Sequence, residues 1–314
     1  MTQETRSKPF TGKVSIPLPS WFWRKAPLPV PVYHLTTGSS EDPNVTRGLH
    51  NVHPSNLERQ LRDLMKHYAV VDLDELVEAF LRRPSIRDAA AITCDDGYRS
   101  VMTEGVPVFR TLGAPFTFFL NGKLIEERLF WRDRVRAILD MNLVTDFLKQ
   151  SKLEIAADDF YRASKAPFIS SKVIEEAIED YFRARGIQES LGDLYCDWSD
   201  VEQAGEGIRF GNHTYSHYVL SSLSRDEQAA EIVRNRELIR ERIGSESIVF
   251  SIPFGNPHSY NVTTLELIKD FGYKGYMTSG NRARQSRLSI DRYGLVRIDR
   301  FMPANEPVIK GIRW

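Results

Sequence analysis

Ala89-Ala90-Ala91-Ile92-Thr93-Cys94-Asp95-Asp96-Gly97-Tyr98 is the stretch that decides the architecture. An uncharged, mostly apolar run that stops at turn residues reads as a strand buried on both faces, the kind found in parallel sheets. Its carboxyl end then delivers two adjacent carboxylates. The same pattern recurs along the chain. Phe116–Leu120 stops at Asn121 and Gly122, Ile208–Gly211 runs into Asn212 and His213, and Ile248–Ile252 runs into Pro253, Phe254 and Gly255. Earlier, Pro29–Leu35 alternates prolines with apolar residues and suits a first strand carrying Tyr33 and His34 at its end. Tyr273–Thr278 and Leu295–Ile298 read as closing strands.

Between these runs lie helical signals. Ser55 with Glu58, Asp72 with Glu75 and Ser224 with Glu227 each have capping-box spacing ahead of an amphipathic stretch, and a short strand at Ala69–Val71 separates the first two. Strand and helix alternation predicts an α/β fold with a parallel sheet, and polar residues gathered at strand carboxyl ends predict a (β/α) barrel whose active face is there. Residues 123–196 break the rhythm with helical periodicity only, as in Ile174, Ala177, Ile178, Tyr181 and Phe182 opposite Glu175, Glu176 and Glu179. They read as a helical insertion lying over the active face, with Lys165–Pro167 as its internal hinge. The expected plan is an N-terminal extension over 1–28 and a barrel over 29–314 interrupted by that insertion.

Composition narrows the function classes. Over 314 residues, 42 Lys and Arg balance 42 Asp and Glu, so no positive field is available to gather nucleic acid phosphates. Hydrophobic residues at 41% and a mean hydropathy of -0.36 fit an ordinary globular chain. The cysteines, Cys94 and Cys196, are too few for a disulfide framework and read as free thiols. No leader-like apolar segment and no long apolar span is seen, which gives the expectation of a cytoplasmic protein. Trp21, Phe22 and Trp23 are expected to plug a barrel end; a lipid interface is the alternative, so membrane contact is peripheral at most.

Two clusters carry chemistry. Desolvated neighbouring carboxylates repel each other unless a positive charge joins them, and a divalent metal would do so. At a strand end, one of the pair can bind the ion while the other faces a substrate water. Taken alone, Asp95-Asp96-Gly97 equally suits a turn opening and a helix N-cap. His213-Thr214-Tyr215-Ser216-His217 places two imidazoles at i and i+4, the spacing that converges on a metal within a helical turn. Two His and one carboxylate leave coordination positions open, which marks a catalytic rather than a structural site.

Together these segments resemble the polysaccharide deacetylases, the NodB-homology family or carbohydrate esterase family 4. Thr93 to Tyr98 is similar to the family's TFDDGY motif with Cys94 in place of Phe, and His213 to His217 matches its H-[ST]-x-x-H motif. Ile252-Pro253-Phe254-Gly255 resembles the third motif, and Val32-Tyr33-His34 resembles the opening of the biofilm-polysaccharide deacetylase branch. The resemblance implies a distorted (β/α) barrel of the NodB-homology type. It implies Asp96, His213 and His217 as ligands of a divalent metal, Zn2+ first, and Asp95 as the base for a water held there. It further implies a backbone N–H near Phe254 for the oxyanion.

Departures from the family pattern leave two roles to fill. Ser251 and Ile252 stand where an arginine usually orients the catalytic aspartate, and Arg297 or Arg300 could substitute. Val296-Arg297-Ile298-Asp299 stands where the late Leu-x-His motif usually supplies the acid. His34 is the expected replacement, with His258 the second candidate for acid or substrate contact and Asn256 a weaker one. Gly255 and Arg297 are grouped with Phe254 near oxyanion or substrate. His50, His53 and His67 are read as surface residues or loop contacts.

The expected activity is removal of an acyl group, acetyl first, from an N-acylated amino sugar in surface-polysaccharide or O-antigen synthesis. The sugar would be nucleotide- or lipid-linked, and the oligomeric state is left open. The alternatives are a deformylase on a lipid-linked amino sugar and an inactive glycan-binding protein.

Overall fold

In the computed structural model the described residues are 28–38, 48–188, 193–279, 287–307 and 309. The extension and its Trp21-Phe22-Trp23 segment fall outside them, Leu28 excepted. Ten strands alternate with helices: β1 (Val32–Tyr33), β2 (Ala69–Val70), β3 (Ala89–Ala90), β4 (Ile92–Asp96), β5 (Phe116–Leu120), β6 (Ile208–Asn212), β7 (Val249–Ser251), β8 (Gly275–Thr278), β9 (Arg287–Ile290) and β10 (Val296–Asp299). Eight of them form one sheet in the order β1-β4-β5-β6-β7-β8-β10-β9. All its pairs are parallel except β10 with β9. The curl brings β1 back to the chain just past β10. There Pro31 bridges Phe301, and the Val32 N–H donates to the Phe301 carbonyl at 3.0 Å. The fold is a distorted α/β barrel closed through that contact.

Register explains why one rim carries the chemistry. Tyr33 pairs with Cys94, Asp96 with Leu120, Leu120 with Asn212, and Asp299 with Thr278. Parallel strands in step end at the same level. His34, Asp95, Asp96, His213, Ser251, Ser279 and Arg300 therefore meet at the carboxyl ends. The floor beneath is apolar: Phe116, Phe118, Phe119 and Leu120 of β5 are all buried.

Several local readings change in the structure. The apolar run from Ala89 divides, because Ala89–Ala90 leaves the barrel to pair with Ala69–Val70 while Ile92–Asp96 joins the main sheet. His53, not Ser55, caps the first helix, Pro54–His67; its imidazole accepts from the Ser55 N–H at 3.2 Å. Asp72 caps Leu73–Arg82, and the Ser224–Glu227 box closes reciprocally ahead of Arg225–Ile243, as their spacing indicates. The first strand shortens to Val32–Tyr33. Pro29 and Pro31 still contribute, their carbonyls accepting from Ala91 and Thr93. Arg287–Ile290, largely exposed, lacks the apolar run that marks the other strands, so the sequence carries no signal for this antiparallel edge.

Between β5 and β6 the described chain is helical, with Trp131–Asp140, Val144–Ser151 and Ser171–Arg185 the main helices. Their apolar faces meet in Phe147, Ile174, Ile178 and Tyr181, joined by Phe160 of the short helix Phe160–Ala163, and that core is continuous with Phe250, Ile252 and Tyr276 of the barrel. Such shared burial fixes the inserted helices to the barrel as one packed body. Tyr98, just past Gly97, ties them further by donating to Asp133 Oδ2 at 3.4 Å. Among the described residues no helix is long and apolar enough to cross a membrane.

Candidate active site

Beyond β4 the backbone turns sharply. Asp96 adopts φ +78° and Gly97 φ +91°, left-handed values that swing Asp96 off the strand line. Asp95 and Asp96 consequently face one cavity of ≈ 210 Å³ that is also lined by His34, His213, His217 and Phe254. Cys94 and Cys196 are both free and buried.

The two imidazoles converge by a route different from the helical turn suggested by their spacing. Residues 213–217 form an irregular loop in which Thr214 has φ +67° and His217 φ +55°. Asn212 Oδ1 accepts from the Thr214 N–H at 2.9 Å, and Thr214 Oγ1 accepts from the His217 N–H at 3.0 Å. Asn121 adds bonds from its amide to the carbonyls of His213 and Thr214. These side-chain contacts replace the ladder a helix would have supplied and hold the backbone in a costly conformation.

One oxygen, Asp96 Oδ1, lies 3.3 Å from Nε2 of His213 and 3.3 Å from Nε2 of His217. It is buried without a hydrogen-bond partner. His213 Nδ1 sits 2.8 Å from the Ser251 carbonyl, which can only accept, so the proton resides on Nδ1 and the Nε2 lone pair faces Asp96. Asp96, His213 and His217 offer ligand atoms all within 4.8 Å of one another. An orphaned carboxylate oxygen facing two imidazole nitrogens fits a divalent metal ion.

Asp95 is held differently. Arg300, fully buried, donates through both terminal nitrogens, at 2.8 Å to Oδ1 and 2.6 Å to Oδ2. The same guanidinium reaches Ser251 Oγ at 3.0 Å and Ser279 Oγ at 3.1 Å, while Ser251 Oγ donates to Asp95 Oδ2 at 3.3 Å. Burial would raise the Asp95 carboxyl, but Arg300 and His213 outweigh it and hold the group below its ordinary range. Of the two arginines the sequence offers, the one in contact with Asp95 is thus Arg300. Arg297 points elsewhere, donating to Asp299 Oδ1 at 3.0 Å, and does not line the cavity.

His34 lines the cavity from the end of β1, and its Nδ1 is buried without a partner. Burial lowers its pKa, while Asp96 and Asp95 pull it upward. His50, read from sequence as peripheral, packs edge-on against His34 at 5.7 Å between ring centroids, and burial brings it down to about 4. Asn256 lines the cavity. His258 is exposed and outside it, so the second acid candidate stands away from the reacting groups.

Phe254 and Gly255 adopt φ +63° and +60° in a tight turn. A Cβ at Gly255 would fall 2.3 Å from the Ser279 backbone nitrogen, so glycine is required there for close approach as well as for conformation. The turn presses the Phe254 ring against His217, with centroids 4.7 Å apart. The inserted helices complete the wall. Phe130 stacks edge-on to His217 at 5.1 Å, and Trp131 donates to the His217 carbonyl at 3.2 Å. Neither contact carried a motif.

The sequence profile of the family described as polysaccharide deacetylase matches residues 82–156 and 161–276, well over half of the chain. The chain belongs to the polysaccharide deacetylase family. Among solved structures, the fold is similar to that of the deacetylase PplD of Streptococcus pyogenes in complex with acetate, with 15% identity and a TM-score of 0.60 over 91% of this chain and 96% of that one. It is also similar to IcaB from Ammonifex degensii, with 18% identity and a TM-score of 0.52 over 80% and 83% of the two chains. A third is BC0361, a polysaccharide deacetylase from Bacillus cereus, with 13% identity and a TM-score of 0.53 over 88% and 65%. No curated protein matches the sequence. The family is one of hydrolases, and in this chain the arginine in contact with Asp95 is Arg300, arriving from beyond β10.

Proposed function

We propose that the protein hydrolyses the N-acetyl amide of an amino sugar, with Asp96, His213 and His217 holding a divalent metal. Zn2+ comes first because two imidazoles and one carboxylate with open positions form its common catalytic ligand set. Such an ion lowers the pKa of a bound water and polarises a carbonyl. The observation that carries the reading is the division of labour between neighbours: Asp96 Oδ1 faces two imidazoles, whereas Asp95 is gripped by Arg300.

Asp95 is ionised and accepts the proton of the attacking water. Arg300 and Ser251 keep its oxygens in place, so little reorganisation is needed as the proton arrives. His34, at the end of the neighbouring strand β1, hands a proton to the departing amine; burial lowers its pKa on balance, with Asp96 and Asp95 opposing the fall. A backbone N–H near Phe254 would meet the carbonyl oxygen as it gains charge, and the Phe130 and Phe254 rings, which line the cavity, restrict water. The inactive-binder alternative was motivated by the absence of the usual arginine and late histidine. Arg300 in contact with Asp95, and His34 lining the same cavity, support a working hydrolase instead.

The test is metal content and acetate release, measured together on N-acetylated amino sugars, for the wild type and Asp96→Ala. About one metal per chain with acetate release, both lost in the variant, is the expected outcome. Release of formate but not acetate would replace the reading by the deformylase. Metal without any acyl release would overturn both.

A further inference from the structure

The cavity has a second chemical character on the side built by the inserted helices. Arg132, Arg136 and Lys165 line it opposite the barrel rim. Arg136 is neutralised by an ion pair with Asp133, yet its Nε is buried and unpartnered. Arg132 is 2% exposed, and its partners are neutral: Ser164 Oγ at 2.7 Å, the Tyr161 carbonyl at 3.4 Å, and the faces of Trp131 and Tyr161 at 4.9 and 4.7 Å. Lys165 Nζ lies 4.8 Å from the Tyr161 ring centroid. Among the described residues neither Arg132 nor Lys165 has a carboxylate partner.

Desolvated cations without counter-ions are expensive, and a chain that keeps a buried guanidinium and a half-buried ammonium beside its reaction cavity leaves a charge to be met from outside. Burial lowers Arg132 to about 10, with Arg136 adding to the effect and Tyr161 and Asp133 only partly opposing it, and burial together with Arg132 lowers Lys165. The barrel side cannot supply the missing charge. Asp95 is taken by Arg300, and Asp96 faces the imidazoles. A planar guanidinium beside a mobile ammonium is a phosphoryl-binding arrangement.

We infer that Arg132 and Lys165, with Arg136 behind them, bind a phosphoryl group carried by the amino-sugar substrate itself. This rests on the deacetylase reading and names its substrate class: a phosphorylated sugar, whether as a sugar nucleotide or as a lipid-linked intermediate, rather than a neutral glycan. The position suits it, because Arg132, Arg136 and Lys165 line the same ≈ 210 Å³ cavity as Asp96, His213 and His217.

The experiment compares N-acetylglucosamine 1-phosphate with its uncharged methyl glycoside on the full-length, metal-loaded protein, by calorimetric binding and by acetate release. The wild type is expected to bind the phosphorylated sugar about 10-fold or more tightly than the neutral one. Lys165→Met, at a half-buried position, is expected to remove most of that ratio, and Arg132→Lys to reduce it while keeping charge. Equal binding of the two sugars, or a ratio untouched by both variants, overturns the inference even if acetate is released. Lys165-dependent binding of the phosphorylated sugar without acetate release keeps the site and overturns the deacetylase reading alone. Faster release from a sugar nucleotide than from a polyprenyl-linked sugar, or the reverse, assigns the source of the phosphoryl group; release from both no faster than from the methyl glycoside overturns the inference.

Discussion

Arg300 and Asp95 lie 205 positions apart in the chain and meet in a two-pronged ion pair, 2.8 and 2.6 Å long, at the mouth of the barrel. The contact is possible because β10 ends level with β8, so that the residue after Asp299 turns inward over the rim. Because the guanidinium is fully buried, its removal strands a carboxylate in a low-dielectric site.

Arg300→Ala should therefore cost about 3–5 kcal/mol of stability, read by denaturant unfolding. As a positioning residue, Arg300 should act on turnover rather than substrate binding. A fall in kcat of about 10–100-fold with KM little changed is expected, with partial rescue by Arg300→Lys. Normal turnover in the alanine variant would remove the arginine from the mechanism.

Asp96 and the two imidazoles form a unit. His213→Ala should abolish metal retention after dialysis, and added Zn2+ should raise the Tm of the wild type but not that of the variant. A variant that still holds stoichiometric metal would mean that the three residues are not the ligand set.

His34→Ala should leave metal content unchanged and slow acetate release by ~10²-fold or more. The comparison with His258→Ala is informative, since that exposed residue lies outside the cavity and should be silent. If the two variants behaved alike, His34 would lose its assignment as the acid.

Gly255→Ala meets two obstacles at once, a left-handed backbone and the Ser279 nitrogen 2.3 Å from the new Cβ. A loss of at least about 1–3 kcal/mol is expected, together with slower turnover because the turn carries Phe254 against His217. Thermal unfolding indistinguishable from wild type would show that this turn yields more easily than its contacts imply.

Much of this was written plainly in the chain, and the reasons are specific. Phe116–Leu120 is an uncharged run, apolar but for Thr117, between turn residues, so its bounds could be read to the residue. Ser224 with Glu227 announced a helix end because a capping box is purely local. His213 and His217 were legible as a pair but not in conformation. Their loop depends on Asn121 and Asn212, residues that spacing alone does not link to them. Between Arg297 and Arg300 the choice turned on which side chain enters the barrel after the strand ends, a matter of register and not of composition. Arg132 and Lys165 carry no motif, because helical periodicity records only which face is apolar and not which cation overhangs a neighbouring cavity.

The helices inserted between β5 and β6 have a consequence for how this protein could diversify. The barrel strands contribute the metal triad, Asp95, Arg300 and His34, whereas one contiguous stretch of the gene contributes the opposite wall with its arginines and lysine. On the proposed reading, chemistry and choice of substrate would be encoded separately, and the second could be rewritten as a cassette without disturbing the first. The condition is that any replacement keep the couplings that key it to the barrel: an acceptor in the place of Asp133 for Tyr98, and a donor in the place of Trp131 for the His217 carbonyl.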